Sequence, residues 1–309
     1  MSNGTLQLFN LAQDRMRRGQ VEAAIETLSE LLSQEPEDPD GHALLALCLI
    51  RQHRLYAAEL EASMALQIEP ESVFALVAVA SVSLAKRKFP AAEQHLLHAM
   101  QLAPESALCH RQMASLYLLW GKLPEALTHI ERACAFAPDD AENLATRGRI
   151  EMSRHNLDAA EEQAIAVLEI DTAHVDALVL LGEIALARGE VDEARQHALW
   201  ALQNDPQDKG ALTLFASIKA RKSLILGLWW RFQSLVASGS RTRSVLILVA
   251  FYVVYRVADI ALEDSGHPSG NQILSGCWLA FCAYTWFAPV IFWRSLRKEM
   301  KQVRLNKGF

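Results

Sequence analysis

The stretch that decides the fold is VDALVLLGEIALARGEVDEARQHALWALQNDPQD, residues 175–208. Two apolar segments flank Arg-Gly-Glu at 188–190, which is a turn signal, and Pro206 closes the second segment because proline cannot continue a helix. A 34-residue spacing connects this stretch with the rest of the chain, and Thr172 occupies the one lattice point without proline. The prolines on the lattice are Pro36, Pro70, Pro104, Pro138 and Pro206. The pattern predicts six copies of a helical hairpin.

Small residues recur on the same lattice where two helices must touch. Twelve residues before each lattice point stand Ala24, Ala58, Ala92, Ala126, Ala160 and Ala194. A second column contains Ala12, Ala46, Ala80, Ala114, Gly148 and Gly182. A third contains Leu31, Ala65, Ala99, Ala133, Val167 and Ala201. Because these side chains lack bulk, the two helices of each hairpin, A and B, can approach closely.

These columns resemble the tetratricopeptide-repeat (TPR) family over residues 5–208, although Leu, Val or Ala replaces most of the family's aromatic residues. The resemblance implies an all-α fold: a right-handed solenoid of six helix-turn-helix repeats with a concave groove that binds protein or peptide partners. The lysine and asparagine clamp by which some family members hold a chaperone's C-terminal carboxylate is absent. Chaperone tails are therefore disfavoured as partners.

In the family, helix A builds the groove, and its second, fifth, sixth and ninth positions commonly touch a peptide. The resemblance thus implies a peptide-binding groove with an apolar middle followed by arginines, suited to an amphipathic helix or an extended segment with an acidic flank. The candidate residues are Leu44, Leu47, Phe74, Val77, Leu108, Arg111, Arg147 and Arg149. The alternative is that these side chains pack against neighbouring helices and expose little.

The C-terminal part differs in charge. Residues 219–309 contain 13 Lys/Arg and 4 Asp/Glu, a net +9, so the net −6 of the chain leaves −15 for residues 1–218. Two apolar stretches approach the ~20 residues that cross a bilayer; basic residues flank their outer ends, and the segment between them contains no Lys or Arg. We therefore expect a capping and interfacial helix at 209–238, transmembrane helices at 244–262 and 272–293, an extracytoplasmic connector at 263–271, and a basic cytoplasmic tail at 294–309.

Arg256 and Asp259 lie three residues apart within the first expected span. Ionised groups are costly inside a bilayer, so such residues pair or have a function. One interpretation is a mutual pair near the outer interface. The other is an intramembrane contact with a partner helix that specifies an assembly.

Several classes of function find no support in the sequence. The acidic first part lacks the basic stretch that phosphate binding needs, which argues against nucleic acid. The five cysteines are scattered without metal-ligand or disulfide spacing, and no common nucleotide, hydrolase or metalloprotease signature occurs. We therefore expect no enzyme activity, no cofactor and no metal.

The sequence thus predicts a scaffold or adaptor for a protein complex, with its repeats in the cytosol and its C-terminal hairpin in a bacterial inner membrane. It would contact protein or peptide partners and membrane lipid. The alternative is a subunit of a secretion, transport or envelope-synthesis assembly whose transmembrane hairpin makes the main contact, as an oligomer or a hetero-complex.

Overall fold

The computed structural model describes residues 3–222, 252–253, 255–260, 274–276, 278–279 and 294. In the continuous part, residues 3–222, every regular element is an α-helix. The helices are α1 (Asn3–Arg17), α2 (Val21–Gln34), α3 (Pro39–Arg51), α4 (Leu55–Ile68), α5 (Val73–Ala85), α6 (Phe89–Leu102), α7 (Ala107–Trp120), α8 (Leu123–Phe136), α9 (Ala141–Ser153), α10 (Leu157–Ile170), α11 (Val175–Arg188), α12 (Val191–Asn204) and α13 (Lys209–Lys222). The first ten pack as five hairpins, and α11 and α12 continue the same 34-residue spacing, so the predicted all-α repeat fold is confirmed.

The chain divides into two compact units, Met1–Ile184 with Asn204–Pro206, and Ala185–Gln203 with Gln207–Phe309. In the first unit each helix packs against the next one along the chain, and α1, α3, α5, α7 and α9 pack side by side. These odd-numbered helices are the A helices, and the even-numbered helices are the B helices. In the second unit, α13 buries Leu214, Phe215 and Ile218, and Arg221 donates a hydrogen bond to the Leu186 carbonyl.

Each A helix after α1 begins with a capping side chain on the 34-residue lattice. Asp38 accepts a hydrogen bond from the Asp40 N–H, and Asp140 accepts one from the Glu142 N–H at 2.8 Å. The complete column is Asp38, Ser72, Ser106, Asp140, His174 and Asp208, each of which accepts from a backbone N–H two or three residues ahead. These caps satisfy donors that the first helical turn leaves without a partner, and they fix where each A helix starts.

The predicted columns of small residues form the core of the hairpins. The six alanines from Ala24 to Ala194 are fully buried, and so is the whole column from Leu31 to Ala201. At Gly148 a Cβ would stand 2.7 Å from Leu180 Cδ2 and 3.4 Å from the Ala160 carbonyl oxygen. A bulky residue there would collide with α10 and α11, so the small residues set how closely the helices pack.

The turn between helices A and B places one residue per repeat in the left-handed backbone region. Glycine occupies three of these positions, including Gly121 at φ 83°, but His53 and Arg87 adopt φ 57° and His155 adopts φ 62°. The complete column is Gly19, His53, Arg87, Gly121, His155 and Gly189. A side chain in this region costs about 1–2 kcal/mol because Cβ crowds the following carbonyl.

Exchanging residues between two of these turns should change stability in opposite directions. We expect His53→Gly to raise the free energy of unfolding by about 0.5–1 kcal/mol, since the relieved strain exceeds the added freedom of the unfolded chain. We expect Gly121→His to lower it by a similar amount, although no atom lies within 4 Å of the Cβ position. Urea denaturation measures both variants, and a change of the same sign in both would contradict this account of the turns.

Most of the predicted membrane segments lie outside the described residues. This holds for the interfacial part at 223–238, the connector at 263–271, the tail beyond Arg294, and all but short pieces of 244–262 and 272–293. None of the helices in the part of the chain that the structure describes is both long enough and apolar enough to cross a bilayer.

Candidate functional site: the wall of A helices

The wall is the face of the A helices that carries the predicted groove residues. Its apolar end, from Leu44 to Leu108, is less exposed than the sequence suggests. Leu44 and Val77 are 3% and 1% exposed and belong to the core, which is the alternative that the sequence left open for them. Leu47, Phe74 and Leu108 are partly buried and keep some surface. The apolar surface available to a partner is therefore formed by these three side chains and their neighbours.

Two aromatic rings meet across this apolar end. Phe9 of α1 and Phe74 of α5 pack edge to face, with ring centroids 6.5 Å apart, although the helix α3 separates them in sequence. The fifth wall position of α3 is Ala43, which is fully buried and too small to keep the rings apart. A bound apolar side chain would therefore contact a preformed aromatic pair, an arrangement that favours further aromatic or aliphatic contacts.

The charged end of the wall is paired within itself. Arg111 Nη1 lies 3.1 Å from Asp140 Oδ1, and Arg149 Nη2 lies 2.7 Å from Asp176 Oδ1. Each pair joins one A helix to the start of the next. Two of the three predicted arginines, Arg111 and Arg149, therefore already have carboxylate partners, which an acidic segment of another protein would have to displace.

Glu142, His174 and Glu183 extend this charged network along α9 and α11. The contact with His174, 3.6 Å away, lowers the pKa of Glu142 to about 2, and Arg111 adds to the effect. Burial acts to lower the pKa of His174, but the interaction with Glu142 outweighs it and the net shift is upward. Burial raises the pKa of Glu183, against the attraction of Arg149. The contact with His174 therefore stabilises the ionised form of Glu142.

Arg147 lies on a different side of α9 from the paired arginines. Its charge acts to lower the pKa of Cys134 on α8, against the larger effect of burial, and its buried Nε has no hydrogen-bond partner among the described residues. We therefore place Arg147 at the contact between α8 and α9. A direct role in the wall remains a prediction for Arg111 and Arg149.

Asn143 holds a structural position beside the wall that the sequence did not reveal. Its side chain is fully buried, and its Nδ2 donates to the carbonyls of Ala133 at 3.2 Å and Ala137 at 3.1 Å. Its Oδ1 lies 3.4 Å from Arg111 Nη1. Asn143 therefore joins the end of α8 to the charged wall and helps to position Arg111. The equivalent residues of the second, third, fourth and sixth repeats are small, namely Gly41, Ala75, Cys109 and Ala177, which was the available signal.

A pair of histidines lies beside the wall, between α7 and α8. The Nδ1 atoms of His110 and His129 are 3.2 Å apart, and His110 Nε2 lies 3.1 Å from the Pro104 carbonyl. Two repeats earlier, His42 makes the same contact with the Pro36 carbonyl but has Glu61 at 2.7 Å. Burial, and then the charges of His110 and Arg132, lower the pKa of His129 to about 4.

Mild acid should therefore destabilise this region. Between the ordinary histidine pKa of 6.5 and about 4, the unfolded chain binds a proton that the folded chain excludes at His129. The contribution of His129 to the free energy of unfolding is then constant above pH 6.5 and falls with pH below it, by at most about 1.4 kcal/mol per pH unit. Urea denaturation across this range measures the slope. His129→Gln should reduce the slope, whereas the exposed control His98→Gln should leave it unchanged; equal slopes in all three proteins would contradict the assignment.

The short described pieces of the C-terminal part contact each other. Arg256 Nη1 lies 2.6 Å from Asp259 Oδ2, so the two residues form a mutual ion pair. The ring of Tyr255 stacks on that of Trp278 with centroids 4.7 Å apart, and its hydroxyl lies 3.4 Å from Ser275 Oγ. These contacts join residues of the two predicted spans. A role for the ion pair in binding a partner helix is not tested by them.

Comparison with known proteins supports the repeat assignment. The family model described as tetratricopeptide repeat matches residues 9–73 and 146–209. No curated protein sequence matches the chain. Within the part of the chain that the structure describes, no group of three or more His, Cys, Asp or Glu side chains could hold a metal ion.

Two solved structures show the same fold. A tetratricopeptide repeat protein from Parabacteroides merdae has a TM-score of 0.56 and 18% identity, over 71% of this chain and 86% of that protein. A chain of the APC/C hetero-tetramer Cut9-Hcn1 has a TM-score of 0.54 and 13% identity, over 69% of this chain and 42% of that chain. This chain thus spans less than half the length of the latter. The family model thus identifies tetratricopeptide repeats in residues 9–73 and 146–209, and the two solved structures share the fold over about 70% of this chain.

Proposed function

We propose that the chain is a membrane-tethered TPR scaffold that binds a protein or peptide through the wall of A helices and assembles a complex at the cytoplasmic face of a bacterial inner membrane. The observation that carries the binding role is the combination of partly exposed apolar side chains, Leu47, Phe74 and Leu108, with a rigid charged network at the other end of one wall. Partner helices and extended segments bind such surfaces through a few apolar anchors.

The two ends of the wall contribute differently. Arg111 and Arg149 are neutralised by Asp140 and Asp176, so the charged end adds little net attraction. It orients a partner by exchanging ion pairs, which favours specificity over affinity. We therefore assign most of the affinity to apolar anchors near Phe74, with a polar flank of the partner lying toward Arg149.

The membrane tether is supported by the apolar stretches 244–262 and 272–293 and their basic flanks. In the short described pieces, Val257 and Leu279 expose large apolar surfaces, while Tyr255 packs against Trp278. Two helices that pack through aromatic residues and expose aliphatic ones suit a lipid environment. The topology, with both ends in the cytosol, follows from the positions of the basic residues.

Site-specific photo-cross-linking in the native membrane tests this proposal. A photoreactive amino acid at Leu108 should cross-link the full-length protein to a discrete partner, whereas the same group at Leu119, which is 62% exposed elsewhere on α7, should not. Phe74→Glu should abolish the cross-link by placing a charge at the apolar anchor. Cross-links confined to residues 223–309 would instead support an assembly held by the hairpin. Release of the protein by alkaline carbonate would contradict the tether.

A further inference from the structure

The turns that join helix A to helix B gather basic residues from three consecutive repeats. Turn residues 52–54, 86–88 and 121–122 contain no acidic side chain. Their basic residues, which we call the basic edge, are Arg54, Lys86, Arg87, Lys88 and Lys122. Neighbouring turns are in contact, since Lys86 Nζ lies 5.0 Å from the ring centroid of Tyr56, and Phe89 stacks on Trp120 at 5.6 Å.

The loops at the opposite ends of the helices have the opposite charge. Residues 35–38, 69–72, 103–106 and 137–140, which join helix B to the next helix A, contain acidic side chains and no Lys or Arg. A helix of this length separates the two sets of connections by about 20 Å. Charges at that distance are screened from each other at physiological salt, where the Debye length is about 8 Å. The basic edge therefore acts as a positive surface despite the acidic composition of the repeats.

Most of the basic edge has no carboxylate partner. Lys86 pairs with Glu59, and its hydrogen bond lowers the pKa of that carboxyl group, with Lys88 adding to the effect. Arg54, Arg87 and Lys88 are exposed and form no ion pair within the described residues. Arg87 also has a left-handed backbone conformation, which holds it at the tip of its turn.

Aromatic side chains accompany the charges. Tyr56 is 87% exposed directly after the first of the three turns, which is unusual for so large a ring. Lys122 Nζ lies 3.7 Å from the ring centroid of Trp120 at the third turn. Tyrosine, tryptophan and basic residues together are typical of surfaces at the headgroup level of a membrane, where the rings enter the interface and the cations meet phosphate.

We propose that the basic edge docks onto the anionic headgroups of the membrane that the C-terminal segments enter. This inference rests on the proposed tether for its choice of lipid over an acidic protein. If residue 244 begins a span, 21 residues connect that span to α13. Fully extended, they hold the end of α13 within about 70 Å of the bilayer. The membrane is then present at a high effective concentration, and several weak ionic contacts suffice for docking. The acidic loops face away from the lipid in this orientation.

Lysine footprinting of the full-length protein in nanodiscs tests the docking. The only lysines among residues 1–206 are Lys86, Lys88 and Lys122, and all three belong to the basic edge. In discs containing about one-third phosphatidylglycerol we expect them to be acetylated about tenfold more slowly than in phosphatidylcholine discs. Lys209, which begins α13, is the internal reference. About 0.5 M salt should remove most of the protection because it shortens the Debye length.

Two double variants separate the basic edge from the acidic loops. Arg54→Glu with Arg87→Glu should abolish the protection, whereas Glu71→Gln with Glu105→Gln at the acidic loops should leave it intact. Equal acetylation of the three lysines in both lipids would overturn the docking while leaving the tether standing. Failure of the protein to co-elute with either disc would instead remove the tether. Protection by poly-glutamate or duplex DNA, but not by anionic discs, would assign the edge to another macromolecule and overturn the proposal.

Discussion

Replacing Ile130 with alanine is expected to lower the free energy of unfolding by about 2–4 kcal/mol. Ile130 is fully buried at the centre of the cluster that joins α7, α8 and α9. Its buried neighbours include Ala114, Ala126 and Ala133, which are already at minimal size and have no side-chain freedom with which to fill a cavity. The volume of the deleted atoms therefore remains largely empty, which places the cost toward the upper part of the usual range.

The repeat architecture adds a second effect. In a linear array each hairpin is stabilised by its two neighbours, so weakening the fourth hairpin also weakens the interfaces on either side. We expect urea denaturation of Ile130→Ala to become less cooperative as well as to begin earlier. Leu119→Ala, which removes an exposed side chain from α7, is the control and should change stability by less than about 0.5 kcal/mol. Equal effects of the two variants would contradict the packing described for these helices.

Replacing Asn143 with leucine should cost about 2–4 kcal/mol, although leucine has a similar size and is apolar. The amide of Asn143 is the side-chain donor to two carbonyls at the end of α8, and its oxygen faces Arg111. Leucine would remove one hydrogen bond from each of these three groups. Each keeps another partner, because the N–H groups of Ala137 and Asp140 donate to the two carbonyls and the Asp140 carboxylate pairs with Arg111. The cost is therefore that of three lost bonds at about 0.5–1.5 kcal/mol each.

Asn204 provides the matched control. Its Nδ2 also donates to the carbonyl of a preceding loop residue, Ala173 at 3.2 Å, but this bond is exposed to solvent. Water can replace it, so Asn204→Leu should cost no more than about 1 kcal/mol. Urea denaturation measures both variants, and hydrogen exchange should show faster opening at the end of α8 only for Asn143→Leu. A cost at position 143 no larger than at position 204 would show that the buried bonds do not stabilise this junction.

The repeat fold could be predicted from sequence because its determinants are periodic. The column from Ala24 to Ala194 and the prolines fix the phase of every hairpin, and the helices begin at the expected 34-residue intervals. The capping column from Asp38 to Asp208 lies on the same lattice and could have been recognised from its Asp and Ser residues. The basic turns could also have been recognised from their place on the lattice, although their residues are dispersed along the sequence and come together only when the hairpins stack.

The details of the wall could not be predicted in the same way. Leu44 and Val77 lie at wall positions by their phase, but apolar residues surround A helices on several sides, so periodicity alone does not say which of them are buried. The contact between Phe9 and Phe74 depends on the angle between successive hairpins, which accumulates from many small packing differences. The ion pair of Arg149 with Asp176 depends on the same angle. A single sequence contains no periodic signal for the angle between successive hairpins.

The capping residues and left-handed turn residues have a consequence for how the array can change length. Every hairpin has its own turn signal and every hairpin after the first has its own start signal, each at a fixed offset within 34 residues. Duplication or loss of a whole unit by recombination leaves every remaining signal in phase, whereas an insertion of a few residues inside a helix shifts the downstream part of that helix against its neighbours. The array can therefore be lengthened or shortened in whole units, and its reach toward a partner can evolve separately from the chemistry of any one repeat.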